Sequence, residues 1–323
     1  MKTSNHLLRR LTAALLAAVL ALSIALPVFA SDDGDTIYIN SVSDLLSLAK
    51  SCAYDQWSVG KTVILQKDLS LEGMLWEPIP SFSGQFKGNG HTISDLTITG
   101  QYSPAGLFGI VEEQGSIESL SVRGIVSVSD SADTTTGGIV GINHGTLINC
   151  QFTGVVTGDS EVGGIVGRNE SEGTIDHSTA RAIVTGKSST GGIAGYNLGA
   201  ITGCTNVGSI NTEYQEASLD TDGFTAKMVD QINNKMAAAD DDATNSVTNV
   251  ATDTGGIAGR SSGMILTSVN TGAVGYEHVG YNVGGIVGRT DGLVSGCVNQ
   301  GHVLGRKDVG GIAGQAEPYR ELD

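Results

Sequence analysis

Between Gly137 and Gly314 the apolar positions fall in short β-branched runs separated by Gly, Asn and Ser, and the runs recur at a fixed interval. The anchor of each unit is Gly-Gly-Ile-(Val/Ala)-Gly. It occurs at Gly137–Gly141, Gly163–Gly167, Gly191–Gly195, Gly255–Gly259, Gly284–Gly288 and Gly310–Gly314, with a degenerate copy at Ala105–Gly109. The second glycines are spaced 26, 28, 64, 29 and 26 residues apart. The long spacing is either two periods plus an insertion or one period with a long one. A second run follows each anchor, as in Gly145–Cys150, Gly173–Ser178, Gly199–Cys204 and Gly292–Cys297. A third follows that, such as Val155-Val156 or Ile183-Val184. These runs are too short for helices, which need about 10 to 12 residues.

A period near 27 holding three short runs predicts one turn of a β-helix, with one strand donated to each of three parallel sheets. Ile139, Ile165, Ile193, Ile257, Ile286 and Ile312 should stack along an inner wall, with Val140, Val166, Ala194, Ala258, Val287 and Ala313 as the neighbouring column. The glycines should mark corners that need a positive φ or no side chain at all. One unit cannot bury its own apolar face, so the fold depends on stacked neighbours.

Two stretches break this pattern. Eight of the 16 aromatic residues lie between Tyr38 and Phe108. There Ser41 to Lys50 predicts a helix, with Ser41 or Ser43 as N-cap and Leu45, Leu46 and Leu48 as its apolar side. Thr62 to Leu65 predicts a strand. Residues 31–80, and 36–80 in particular, read as a cap on the open end of the stack, where unpaired strand edges need cover. Residues 81–323 read as the repeat body. Within it, residues 211–253 form an insertion in which Phe224, Met228, Ile232 and Met236 recur at the four-residue interval of an amphipathic helix. Asp240-Asp241-Asp242 reads as a solvated acidic turn, because the Asp-x-Asp-x-Asp-Gly order of a calcium loop is missing.

Residues 1–30 carry Lys2, Arg9 and Arg10 ahead of an apolar run and end in Val28-Phe29-Ala30, the pattern of a cleaved secretory signal. An uncleaved anchor would also export the remainder, which is then secreted or held at the cell surface. Without residues 1–30, 15 Lys and Arg face 34 Asp and Glu, a formal charge of −19. That balance argues against nucleic acid and anionic membranes as partners. Glycine is 46 of 323 residues, about twice the usual share of roughly 7%. Its regular placement points to the repeat and away from disorder. The last anchor leaves nine residues to Asp323, so this is either the N-terminal part of a longer surface protein or a final turn with a short tail.

The stretch Gly137–Cys150 resembles the GLUG motif of bacterial surface proteins, and Phe82–Ile93 resembles the segment that introduces such repeats. The likeness spans about residues 36–316. It implies an all-β fold, a right-handed parallel β-helix of the pectin-lyase type with a short helical N-terminal cap and one helical insertion. Some relatives join these repeats to an IgA-cleaving metallopeptidase. The His-Glu-x-x-His of such an enzyme begins at none of the six histidines here.

Little of the pattern suggests catalysis. Polysaccharide-active β-helices need carboxylates converging from neighbouring turns, whereas Asp176 aligns with Ile148, Thr202, Leu266 and Ser295. No catalytic residue, metal or cofactor is read. Cys150, Cys204 and Cys297 share one repeat position with Ser178 and Ser268. Cys150 and Cys204 would sit two turns, about 9.6 Å, apart, beyond the roughly 7 Å reach of a disulfide. A Cys/Ser ladder is therefore expected, with no disulfide-linked partner. One outward column remains: Ile142, Arg168, Tyr196, Arg260, Arg289 and Gln315. Arg168, Tyr196, Arg260 and Arg289 are the candidate binding residues. Two stacked guanidiniums need acids or an anionic ligand nearby, so intramolecular salt bridges and an acidic-glycan stripe both stay open. The next position, Asn143, Asn169, Asn197, Ser261 and Thr290, reads as a structural polar ladder. The favoured function is a non-catalytic adhesion, glycan- or host-surface-binding, or spacer module. The alternative is a polysaccharide-active lyase or glycosidase.

Overall fold

A computed structural model describes residues 35–54, 56–128, 134–212, 219–241 and 251–317. The segment read as a signal and the end of the acidic turn lie outside them. Within residues 31–323 the chain coils into a parallel β-solenoid whose longest sheet has nine strands.

From Thr136 onward the turns contribute to four sheets where three were expected. In the turn that begins at Ser160, Ser160–Gly163 belongs to sheet 3, Val166–Asn169 to sheet 4, Thr174–Asp176 to sheet 1 and Thr179–Thr185 to sheet 2. Sheet 3 is the unexpected one. Its strands end on the first glycine of the anchor, so the Gly-Gly pair is a corner between two short strands. Gly163 pairs with Gly137 and Gly191 in register. These paired glycines have no positive φ. A Cβ on Gly163 would collide with the Val166 carbonyl, and one on Gly164 with the Gly192 carbonyl of the next turn. The anchor therefore requires the missing side chain for close approach alone. Positive φ is used at another corner, before the Cys/Ser column. There Ser119, Asn149, His177, Gly203, Thr267 and Gly296 adopt values from 45° to 65°.

The stacked interior follows the predicted columns. Ile139, Ile165, Ile193, Ile257 and Ile286 are fully buried, and each donates its N–H to the isoleucine carbonyl of the next turn at 2.8–3.1 Å. Ile312, in the last turn, is 43% exposed. The long spacing is one period, because Gly191 pairs directly with Gly255 and Ala194 with Ala258.

At the N-terminal end the sheets run through the segment read as a cap. Thr36–Ile39 and Thr62–Leu65 open sheet 1, and Ile79–Phe82 opens sheet 4. Only helix α1 (Val42–Ser51) lies across these strands. Ser41 caps it, accepting the Asp44 N–H at 3.2 Å. Leu45 and Leu48 are buried, but Leu46 is 42% exposed: the i, i+3 pair faces the stack and the residue between them does not. Behind the helix, Phe82, Phe86 and Phe108 pack ring to ring at 5.4–6.3 Å between centroids.

The insertion leaves after Asn211 and returns at Thr252, at the corner between sheets 2 and 3. It carries helix α2 (Ala226–Asp241) back towards the N-terminal end. Met228 and Ile232 are buried against Ile125, Val155 and Ile183, one outward column on three successive strands of sheet 2, with Phe224 and Met236 at the margin. Polar contacts fix the crossing: Arg123 donates to the Asp222 carbonyl at 2.7 Å, Thr225 to Asp95 Oδ1 at 2.9 Å, and Lys235 Nζ to Ser127 Oγ at 2.6 Å.

Candidate binding face on sheet 4

The four candidate residues form one in-register column. Ile142 pairs with Arg168, Arg168 with Tyr196, Tyr196 with Arg260, Arg260 with Arg289, and Arg289 with Gln315. All lie on strands immediately after the anchor, where the outward position falls between two buried ones.

The column is tightly coupled. The Tyr196 ring lies between two guanidiniums, with Arg168 at 4.9 Å and Arg260 at 5.2 Å from its centroid. Both faces of the ring are thereby occupied, so Tyr196 orients cations and offers no free platform for a sugar. Its hydroxyl lies 3.4 Å from Ser262 Oγ. Arg168 is neutralised locally, pairing with Glu161 and, through Nε at 2.6 Å, with Glu170. Burial alone would lower its pKa, but the Glu161 charge and the Glu170 hydrogen bond outweigh that and raise it. Arg289 donates to Glu317 at 2.6 Å, and that hydrogen bond raises its pKa. Its Nε is buried with no hydrogen-bond partner among the described residues. Arg260 differs from both: no carboxylate among the described residues pairs with it. The salt-bridge reading thus holds for Arg168 and Arg289, and Arg260 stands as the unneutralised cation between them.

The ladder beside this column is internal. Asn143, Asn169, Asn197 and Ser261 are fully buried. Asn143 donates to Asn169 Oδ1 at 2.8 Å, Asn169 to Asn197 Oδ1 at 2.8 Å, and Asn197 to Ser261 Oγ at 3.0 Å. A second ladder was missed in the sequence. Asn206 donates to Asn270 Oδ1 at 2.7 Å and Asn270 to Asn299 Oδ1 at 2.8 Å. Each of these asparagines also clasps the glycine two residues on, as Gly208 N–H does with Asn206 Oδ1 at 3.1 Å. The signal was present as (Cys/Ser)-x-Asn-x-Gly at Cys204–Gly208, Ser268–Gly272 and Cys297–Gly301.

The Cys/Ser column stacks in the expected order. Cys150 N–H donates to Ser178 Oγ at 3.1 Å and Cys204 N–H to Ser268 Oγ at 3.2 Å. Burial pushes the Cys150 and Cys204 thiols up to about 12, which keeps them protonated and unreactive near neutrality. On sheet 1, Asp176 aligns with Ile148, Thr202, Leu266 and Ser295, as read from the sequence. Among the described residues no group of three or more His, Cys, Asp or Glu is arranged to hold a metal, and no helix is long and apolar enough to cross a membrane.

No protein-family model matches the chain. It is 32% identical over 155 residues to Halomucin of Haloquadratum walsbyi, a match covering 44% of this chain and 2% of that protein. It is 29% identical over 137 residues to a candidate Gly-rich membrane protein of Evansella cellulosilytica, covering 31% of this chain and 16% of that one. The chain thus spans only a small part of either relative. Among solved structures, a candidate immunoglobulin A1 protease from Bacteroides ovatus superposes with a TM-score of 0.56 at 18% identity, over 88% of this chain and 85% of that one. That likeness concerns the fold alone.

Proposed function

We propose that this chain is a non-catalytic module of an exported surface protein, a rigid solenoid that binds acidic glycans through the guanidinium column of sheet 4. The observation carrying the reading is Arg260. It is held against Tyr196, stands in register with Arg289 and has no carboxylate partner among the described residues. A guanidinium offers five donors in a planar fork that matches a carboxylate or sulfate bidentately. Arg289, one turn away, is already held by Glu317, so Arg260 carries the contact.

Export is supported by the leader-like residues 1–30 and by the partial likeness to Halomucin and to a Gly-rich membrane protein. The repeat's resemblance to the GLUG motif supports a place on the cell surface. The enzyme reading draws less support, because carboxylates on this face are engaged: Glu161 and Glu170 hold Arg168, and Glu317 holds Arg289.

A glycan array tests the proposal. Wild type should bind uronate- or sulfate-bearing oligosaccharides without cleaving them, and Arg260→Gln should weaken binding about tenfold or more, since losing one charge-assisted contact costs roughly 1.5–3 kcal/mol. Turnover of any acidic glycan, or binding indifferent to Arg260→Gln, would refute it.

A further inference from the structure

The insertion builds a second feature, far from the guanidinium column. Where α2 begins, a cleft of about 160 Å³ opens between the helix, the segment after Leu69–Ser70, and the long sheet 2 strand Thr92–Gly100. Three stretches distant in sequence converge there, with Glu72, Leu75, Asp95, Thr225, Lys227 and Gln231 on its walls.

Asp95 is its central group. The pairing register shifts between Ile93 and Leu96, and Asp95 sits in that irregularity with a φ of 60°. Bulges of this kind re-aim a side chain. Here the carboxylate is turned under α2, where the residue is only 3% exposed. It is met by hydroxyls alone: Ser70 at 2.7 Å and Ser94 at 2.9 Å on Oδ2, and Thr225 at 2.9 Å on Oδ1. A carboxylate has about four acceptor sites, so Oδ1 keeps one unused. No cation among the described residues forms an ion pair with it.

The geometry points to this cleft as a binding site for a single neutral sugar ring. Two carboxylates, Glu72 and Asp95, face one ammonium, Lys227, which disfavours an anion. A sugar hydroxyl supplies the fourth donor that Asp95 lacks, while Glu72 and Gln231 bracket further hydroxyls. Leu75, 72% exposed, gives an apolar wall for the C–H face. The volume is well under the roughly 300–1,000 Å³ of pockets for larger ligands, in keeping with one ring. This site shares no residue with the sheet 4 column, so the two proposals stand or fall separately.

Saturation-transfer NMR on the full chain tests it, with the methyl glycosides of glucose, galactose, mannose and N-acetylglucosamine at millimolar concentration. At least one should give a transfer signal. Leu75→Ser with Gln231→Ala should weaken its binding about tenfold or more, with an unchanged melting curve, while Arg260→Gln leaves it untouched. No signal from any of the four, a signal that survives the double variant, or binding of methyl glucuronide or spermidine alone would overturn the inference.

Discussion

Sheet 2 changes character half-way along the solenoid. After the two-residue Leu69–Ser70 at its edge, the strands of its first half are long: Thr92–Gly100, Ser121–Val128, Gln151–Thr157 and Thr179–Thr185. In the second half they shrink to two residues, Thr205–Asn206, Val269–Asn270 and Val298–Asn299. One inward column records the change, running Ile93, Val122, Phe152, Ala180, then Asn206, Asn270, Asn299. In the long half hydrophobic side chains fill the interior, and α2 covers the outer face. In the short half each asparagine clasps the glycine two residues on, which turns the chain and ends the strand. The same cross-section is thus held open in two ways, by volume in one half and by a hydrogen-bonded amide ladder in the other. The outward column that α2 covers, Ile125, Val155 and Ile183, lies on the half filled by volume.

If that division is right, exchanging the two solutions should fail. Phe152→Asn places a carboxamide between Val122 and Ala180, with no amide above or below. It should cost about 5 kcal/mol, combining a lost aromatic side chain with an unsatisfied buried amide, as read by urea unfolding. The reverse exchange, Asn270→Leu, takes one partner each from Asn206 Nδ2 and Asn299 Oδ1 and removes the side-chain partner of the Gly272 N–H and carbonyl. A loss of about 3 kcal/mol is expected. Hydrogen exchange should rise first around residues 206–208 and 299–301 while residues 121–128 stay protected; uniform exchange would mean that the two halves are one cooperative unit.

A smaller effect comes from the Cys/Ser column, in which Cys150 precedes a long strand of sheet 2 and Cys204 a short one. Their thiols keep the proton to about 12 in the folded state, whereas an unfolded thiol ionises near 8.5. Between these values the unfolded chain binds fewer protons, so stability falls as pH rises. At pH 10 the loss should be about 1–2 kcal/mol for each thiol. Cys150→Ser with Cys204→Ser, which extends the serine already present at Ser178 and Ser268, should flatten melting temperature against pH over this range.

The repeat columns were legible because stacking makes sequence period and spatial neighbour the same thing. Ile139 above Ile165, Cys150 above Ser178 and Arg260 beside Arg289 all follow from alignment alone. Sheet 3 was not legible, since its strands hold few apolar residues and end in glycine; Ser188–Gly191 reads as a loop. The asparagine ladder at Asn206 was hidden because its column is apolar in the earlier turns, running Val122, Phe152 and Ala180 before the asparagines begin. Neutralisation of Arg168 rests on Glu161, seven residues earlier on another sheet, and the cleft at Asp95 on a helix 130 residues away. Neither distance is encoded in a repeat.

The corner that carries the insertion has a consequence for how such a chain can change. Ile210 still bridges Val184 and Val274, and Thr252 still pairs with Ser188, so the stack closes beneath the excursion as though it were absent. Doubling the length of such a loop adds only about 0.6 kcal/mol of closure entropy. This corner is therefore a graft point: added surface such as α2 and its cleft can be carried there while the rod beneath keeps its register.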